Sequence, residues 1–133
     1  TSTNVAAAMA SVKALQLAHV PLVTGTDAPG PGTTHGAGIH RELELLVQAG
    51  LTQVHALAAA TGNAADAFHL RDRGHIAVGF RADLVLVQGD PTADITASRR
   101  IVDVWRAGHR LDRKSYLDRL ATQRAAPQDP ATH

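Results

Sequence analysis

The 133 residues suffice for one domain with a core of ordinary size, and 44% hydrophobic with 19% charged residues excludes a disordered polymer. Aromatics make up only 3% and the formal net charge is +1, so neither a base-stacking platform nor a field that attracts DNA or an anionic membrane is expected. The absence of cysteine removes disulfides, thiolate zinc sites, iron–sulfur clusters and a Cys nucleophile, and fits a reducing compartment.

The N-terminal stretch predicts a helix over residues 3–18, with Val5, Met9, Val12 and Leu15 at three- and four-residue steps and Thr3 or Asn4 as cap. It has no basic n-region and no continuous apolar run, and nothing in the chain approaches the ~18 apolar residues of a membrane span. A cytoplasmic location is therefore expected. The chain does not open on Met, which leaves a processed product or a piece of something longer as readings.

His19-Val20-Pro21-Leu22-Val23-Thr24 reads as a short buried strand with Pro at its start. It runs into Gly25-Thr26-Asp27-Ala28 and then Pro29-Gly30-Pro31-Gly32, which continues neither helix nor ladder. A helix over 38–49 follows, with Ile39, Leu43, Leu46 and Val47 buried, Arg41, Glu42 and Glu44 on a wetter side, and Gly50 as its stop. Thr52 caps a third helix through Val54, Leu57 and Ala58, and residues 64–68 add one or two helical turns.

After Leu70 the pattern changes. Turns at 71–74 and 79–82 frame Asp83-Leu84-Val85-Leu86-Val87, which predicts a strand buried on both faces or nearly so. Residues 101–106 and 110–111 predict a hairpin around Ala107-Gly108-His109, with Trp105 as the large anchor. A modest amphipathic helix over 113–124, through Leu117, Leu120 and Ala121, leads to a coil containing Pro127 and Pro130. The order of helix, one strand, helices and then several strands suggests the end of an α/β layer structure with a β-rich lobe behind it.

Asp27 is the sharpest chemical candidate. A carboxylate at the C-terminal end of a buried strand stands where α/β barrels place catalysis, as metal ligand, general base or both. The alternative is an Asp that caps a turn by accepting from an amide two residues on. His35 and His40 follow closely, but their five-residue spacing is neither His-x-His nor His-x₃-His, so this segment is not expected to hold a complete zinc site. His55, His69, His75 and His109 show no ligating spacing, and no serine-hydrolase or phosphate-loop motif is present. Eight of the 13 basic residues lie between Arg99 and Arg124, but Asp103, Asp112 and Asp118 interleave with them as on a solvated face.

Three stretches carry a resemblance, roughly from Val5 to Leu111. They are Pro21-Leu22-Val23-Thr24-Gly25-Thr26-Asp27-Ala28; His35-Gly36 with His40-Arg41-Glu42-Leu43-Glu44-Leu45-Leu46-Val47-Gln48-Ala49-Gly50-Leu51-Thr52; and Ala58-Ala59-Ala60-Thr61-Gly62-Asn63 through Gly74-His75-Ile76 to Gly79-Phe80-Arg81-Ala82-Asp83-Leu84-Val85-Leu86-Val87 and Gly89-Asp90-Pro91. In this order and spacing they resemble the C-terminal part of metal-dependent amidohydrolases, of the imidazolonepropionase-like and Xaa-Pro or Xaa-Arg dipeptidase-like branch.

The resemblance implies that residues 1–70 are the end of a TIM barrel, 71–112 are strands of a small β-sandwich lobe, and 113–133 are a C-terminal helix and tail. It implies that Asp27 touches one or two zinc-type divalent ions and shuttles a proton, with His35 and His40 contacting a small amide or dipeptide substrate. The family's other ligands are His-x-His on the first strand, a carboxylated Lys or Glu on the fourth, and His on the fifth and sixth. None has a counterpart here, and a whole barrel takes about 250 residues. The chain is therefore expected to need the N-terminal portion of the same enzyme as partner and to be inactive alone. A homo-oligomer fits as well. The rival reading is a non-catalytic interaction or assembly module derived from an amidohydrolase.

Overall fold

The computed structural model describes residues 2–30 and 33–125. Helix α1 spans Ser2–Leu17, which puts Thr3 and Asn4 inside the helix instead of at its cap. It closes with paired bonds in which Val20 N–H donates to Leu15 O and His19 N–H to Gln16 O, both at 3.0 Å, around a left-handed His19 with φ 54°. This is the Schellman closure, which satisfies carbonyls that a helix end leaves orphaned. Helices α2 (Ala37–Gln48) and α4 (Gly62–Ala67) end in the same way, at Gly50 (φ 112°) and His69 (φ 57°). The glycine was legible as a stop; the two histidines, which take the same conformation at greater steric cost, were not.

Residues 20–27 form no ladder among the described residues, although a strand was expected here. Their burial still alternates as in a strand: Leu22, Thr24 and Thr26 are half-buried, while Pro21, Val23, Gly25 and Asp27 are exposed. Helices on one side supply the bonds that a neighbouring strand would otherwise give. Asn63 Nδ2 donates to Leu22 O at 3.1 Å, Thr24 N–H donates to Ala59 O at 3.1 Å, and Gly25 N–H donates to a Glu42 carboxylate oxygen at 2.7 Å.

Thr52 caps α3 (Gln53–Ala60) as its sequence position predicts, its hydroxyl accepting from His55 N–H at 3.2 Å. The core lies where α2 and α3 meet the 3₁₀ turn Ile95–Arg99. Leu43, Ala56 and Ile95 are buried there, with Leu46, Val47, Leu57 and Ala60 packed around them. Val54 of the same helix is exposed.

Strands β1 (Leu84–Val87), β2 (Ile101–Arg106) and β3 (His109–Arg110) make one antiparallel sheet in that order, with Val85 opposite Val104 and an irregularity between Leu86 and Val87. Val85 and Leu86 are exposed, so β1 is not buried on both faces: a three-stranded sheet has too few layers around it to cover its middle strand residues. The β2–β3 turn has two positive-φ residues, Ala107 (51°) and Gly108 (80°), the pattern that matches strand twist. Asp83 fastens this turn to the start of β1 by accepting from Ala107 N–H at 2.7 Å, and that bond, aided by Arg81, holds its carboxyl below the usual range. Helix α5 spans Arg113–Ala125; Leu117 faces solvent and Leu120 is half-buried. The coil expected at Pro127 and Pro130 lies outside the described residues.

Between these layers Gly74 (φ 88°) sits so close to α4 that an added Cβ would lie 2.5 Å from Ala65 Cβ and 3.0 Å from Thr61 O. Strain in φ and overlap with backbone act together there. Gly74→Ala is expected to lower stability by about 1–3 kcal/mol, measured as a shift of the urea midpoint without a change in slope.

Candidate functional site

Asp27 ends the unpaired segment in a left-handed conformation (φ 47°), one that Asp tolerates better than most residues. The bend after it is closed by Thr33, not by Asp27. Thr33 Oγ1 accepts from Gly30 N–H at 2.8 Å and points its own hydrogen toward Gly30 O at 3.1 Å and Asp27 O at 3.4 Å. The amide position two residues on is Pro29, which has no N–H to give. The Asp27 carboxylate makes no hydrogen bond or ion pair among the described residues, and the residue is exposed.

Behind this segment stands the first half of α2. Gly38 packs against Thr26: an added Cβ would lie 3.3 Å from Thr26 Cγ2. Glu42, one turn later on the same helix face, reaches Gly25 N–H. Its other oxygen, Oε2, is buried without a hydrogen-bond partner among the described residues. The sequence had put Glu42 on a wetter side; the structure turns it inward. A cavity of about 490 Å³ opens here, lined by Gly25, Thr26, Thr33, Thr34, Arg41 and Glu42 among others.

His35 lies exposed in the turn that precedes α2, where Ala37 N–H donates to its carbonyl at 2.9 Å. His40 is half-buried on the first turns of α2, its Nδ1 3.1 Å from the hydroxyl of buried Ser98. One turn further, Glu44 pairs with Arg99 of the 3₁₀ turn and, at 3.3 Å, with Arg41. Among the described residues no group of three or more His, Asp or Glu side chains is placed to hold a metal, so Asp27, His35 and His40 do not converge on one ion. The contacts of Glu42, Glu44, Ser98 and Arg99 were missed by sequence reasoning. No local pattern points to them, because their partners lie far away in the chain.

A profile of the Amidohydrolase family matches residues 3–111. The chain belongs to the amidohydrolase family. It is 38% identical over 94 residues to the imidazolonepropionase of Deinococcus deserti, a match that covers 68% of this chain and 23% of that protein. It is 34% identical over 73 residues to the adenine deaminase of Lysinibacillus sphaericus, covering 55% of this chain and 12% of the relative. The fold is shared with molinate hydrolase (TM-score 0.74, 29% identity, 92% of this chain and 30% of that one). It is shared also with a Xaa-Pro dipeptidase solved with methionine in its active site (TM-score 0.71, 26% identity, 77% and 25%). The chain thus spans about a quarter of the length of the imidazolonepropionase it matches.

In this chain the junction of α2 with the 3₁₀ turn is titratable. Burial, and then the Arg99 charge, push His40 below its ordinary value of 6.5, with Glu44 opposing. The Arg99 hydrogen bond foremost holds Glu44 below 4.5. A depressed His pKa means that the unfolded chain takes up the proton first. The His40 contribution is complete above pH 6.5 and is lost as pH falls from there through the lower folded value. The Glu44 contribution persists to lower pH and is lost below 4.5. Urea midpoints are expected to drop between pH 7.5 and 5.5, and His40→Asn is expected to flatten that drop; an unchanged slope in the variant would place its origin elsewhere.

Proposed function

We propose that this chain is the C-terminal portion of a larger amidohydrolase that hydrolyses a C–N bond of a small amide or dipeptide. Residues 1–70 would end its barrel, residues 71–112 would contribute strands of a β-sandwich lobe, and 113–133 would form the closing helix and tail. The observation that carries this reading is Asp27: an exposed carboxylate, unengaged among the described residues, at the end of a strand-like segment, the kind of position where barrels carry their catalytic groups. The named relatives support the reaction class, since they include a molinate hydrolase and a Xaa-Pro dipeptidase.

Asp27 offers one hard oxygen donor suited to a divalent cation, zinc by the family resemblance, and no cluster among the described residues completes the site. The remaining ligands for one or two ions are proposed to come from the rest of the enzyme. When bound, such an ion supplies a water acidic enough to lose a proton near neutral pH. Asp27 accepts a proton on one carboxylate oxygen and returns it to the departing amine nitrogen. His35 reaches the substrate from its exposed turn, whereas His40, expected from the sequence as a second contact, lies against Ser98 on the face of α2 opposite Glu42 and does not share the Asp27 side.

An assembly module derived from the family is the second reading, favoured by the unpaired segment 20–27, whose open edge invites another strand. Light scattering after size exclusion separates the two. A well-behaved single copy of the chain argues for an independent module; association with the N-terminal portion argues for the barrel. Combining the chain with that portion is expected to give metal-dependent hydrolysis, and Asp27→Asn to lower turnover by about 10²–10⁴-fold. Near-normal turnover in Asp27→Asn would sink the assignment.

A further inference from the structure

We infer that Glu42 is a positioning residue that sets the end of the segment carrying Asp27; the catalytic part of this inference rests on the hydrolase reading above. Residues 20–27 have no ladder, so the path of their last three residues is determined by few contacts. Beyond Thr24 the one helix-to-segment hydrogen bond among the described residues is that from Gly25 N–H to Glu42, at 2.7 Å and seventeen residues away in sequence. Gly38, one turn earlier on the same face, lets α2 close onto Thr26. Glu42 therefore grips the chain two residues before Asp27, whose own side chain is exposed.

The second oxygen makes the arrangement informative. Among the described residues Glu42 Oε2 is buried with no partner, a costly state for a carboxylate oxygen that an apolar residue at this helix position would avoid. A side chain kept only for packing has no reason to bear that cost. One kept as the acceptor for the Gly25 amide does. The tripeptide it holds includes a glycine and a left-handed Asp27, neither of which fixes its own backbone. Small errors in placing a catalytic carboxylate are expensive in rate, which is the function of such a grip.

The test uses Glu42→Ala and Glu42→Gln, with two readouts. Hydrogen exchange at the Gly25 amide of the chain is expected to rise on the order of ten- to a hundredfold in Glu42→Ala and about threefold or less in Glu42→Gln, which keeps an acceptor oxygen. Exchange at the Thr24 amide, bonded to Ala59, should stay unchanged and so reports that the fold is intact. In the enzyme combined with its N-terminal portion, kcat is expected to fall about tenfold in Glu42→Ala with KM within about twofold, and to recover largely in Glu42→Gln. Unchanged Gly25 exchange in Glu42→Ala overturns the inference. So does a kcat loss that Glu42→Gln fails to rescue while the Thr24 amide stays protected. If the wild-type enzyme hydrolyses nothing, the hydrolase reading fails separately, and exchange at Gly25 still decides whether Glu42 holds the segment.

Discussion

Residues 20–27 are strand-like in their alternation yet have no strand beside them among the described residues, and the rest of the structure is arranged around that fact. Backbone amides and carbonyls need partners, and here three successive helices supply them. Asn63 of α4 takes Leu22 O, the Ala59 carbonyl of α3 takes Thr24 N–H, and Glu42 of α2 takes Gly25 N–H. Each bond ties the segment to a different helix, so the helical layer acts as a template for the segment's path. The order of the helices along the segment also orders the site: α2, the last to grip, is the one nearest Asp27.

The same helix faces two ways. Toward the segment it presents Gly38 and Glu42; toward the β-rich part it presents His40 and Glu44, which meet Ser98 and Arg99. Opposite faces of one α-helix are what positions 38 and 42 against 40 and 44 allow. The buried apolar centre at Leu43, Ala56 and Ile95 lies on this same junction, so packing and polar contacts join the helical layer to the 3₁₀ turn together. Sixteen large apolar side chains remain exposed among the described residues, Ile76 and Val78 most of all.

Local signals were well legible in the sequence. The 3.6-residue periodicity located α2 and α3 to within a residue or two, Thr52 announced its cap, Gly50 its stop, and Ala107-Gly108 the tight turn between β2 and β3. What failed depended on partners distant in sequence. The apolar, β-branched run 84–87 predicts burial, but burial needs covering layers and periodicity does not report them. Glu42 and Glu44 carry the charge of a wet face, and no local rule says that Gly25 and Arg99 wait opposite them. Asp27 was legible as a candidate because it follows an apolar run and precedes a Gly/Pro loop. That its carboxylate is spared by Thr33, which closes the bend in its place, was not legible.

The alternation along residues 20–27 also constrains how the chain can vary in length. Strand side chains change sides at every residue, so adding or deleting one position between Leu22 and Thr26 would turn part of this stretch away from the helices and bring its exposed residues toward them. The amide facing Glu42 would then be displaced, and Thr26 would leave its place against Gly38. Insertions and deletions in this short connection are therefore expected to come in pairs or to be absorbed before Leu22.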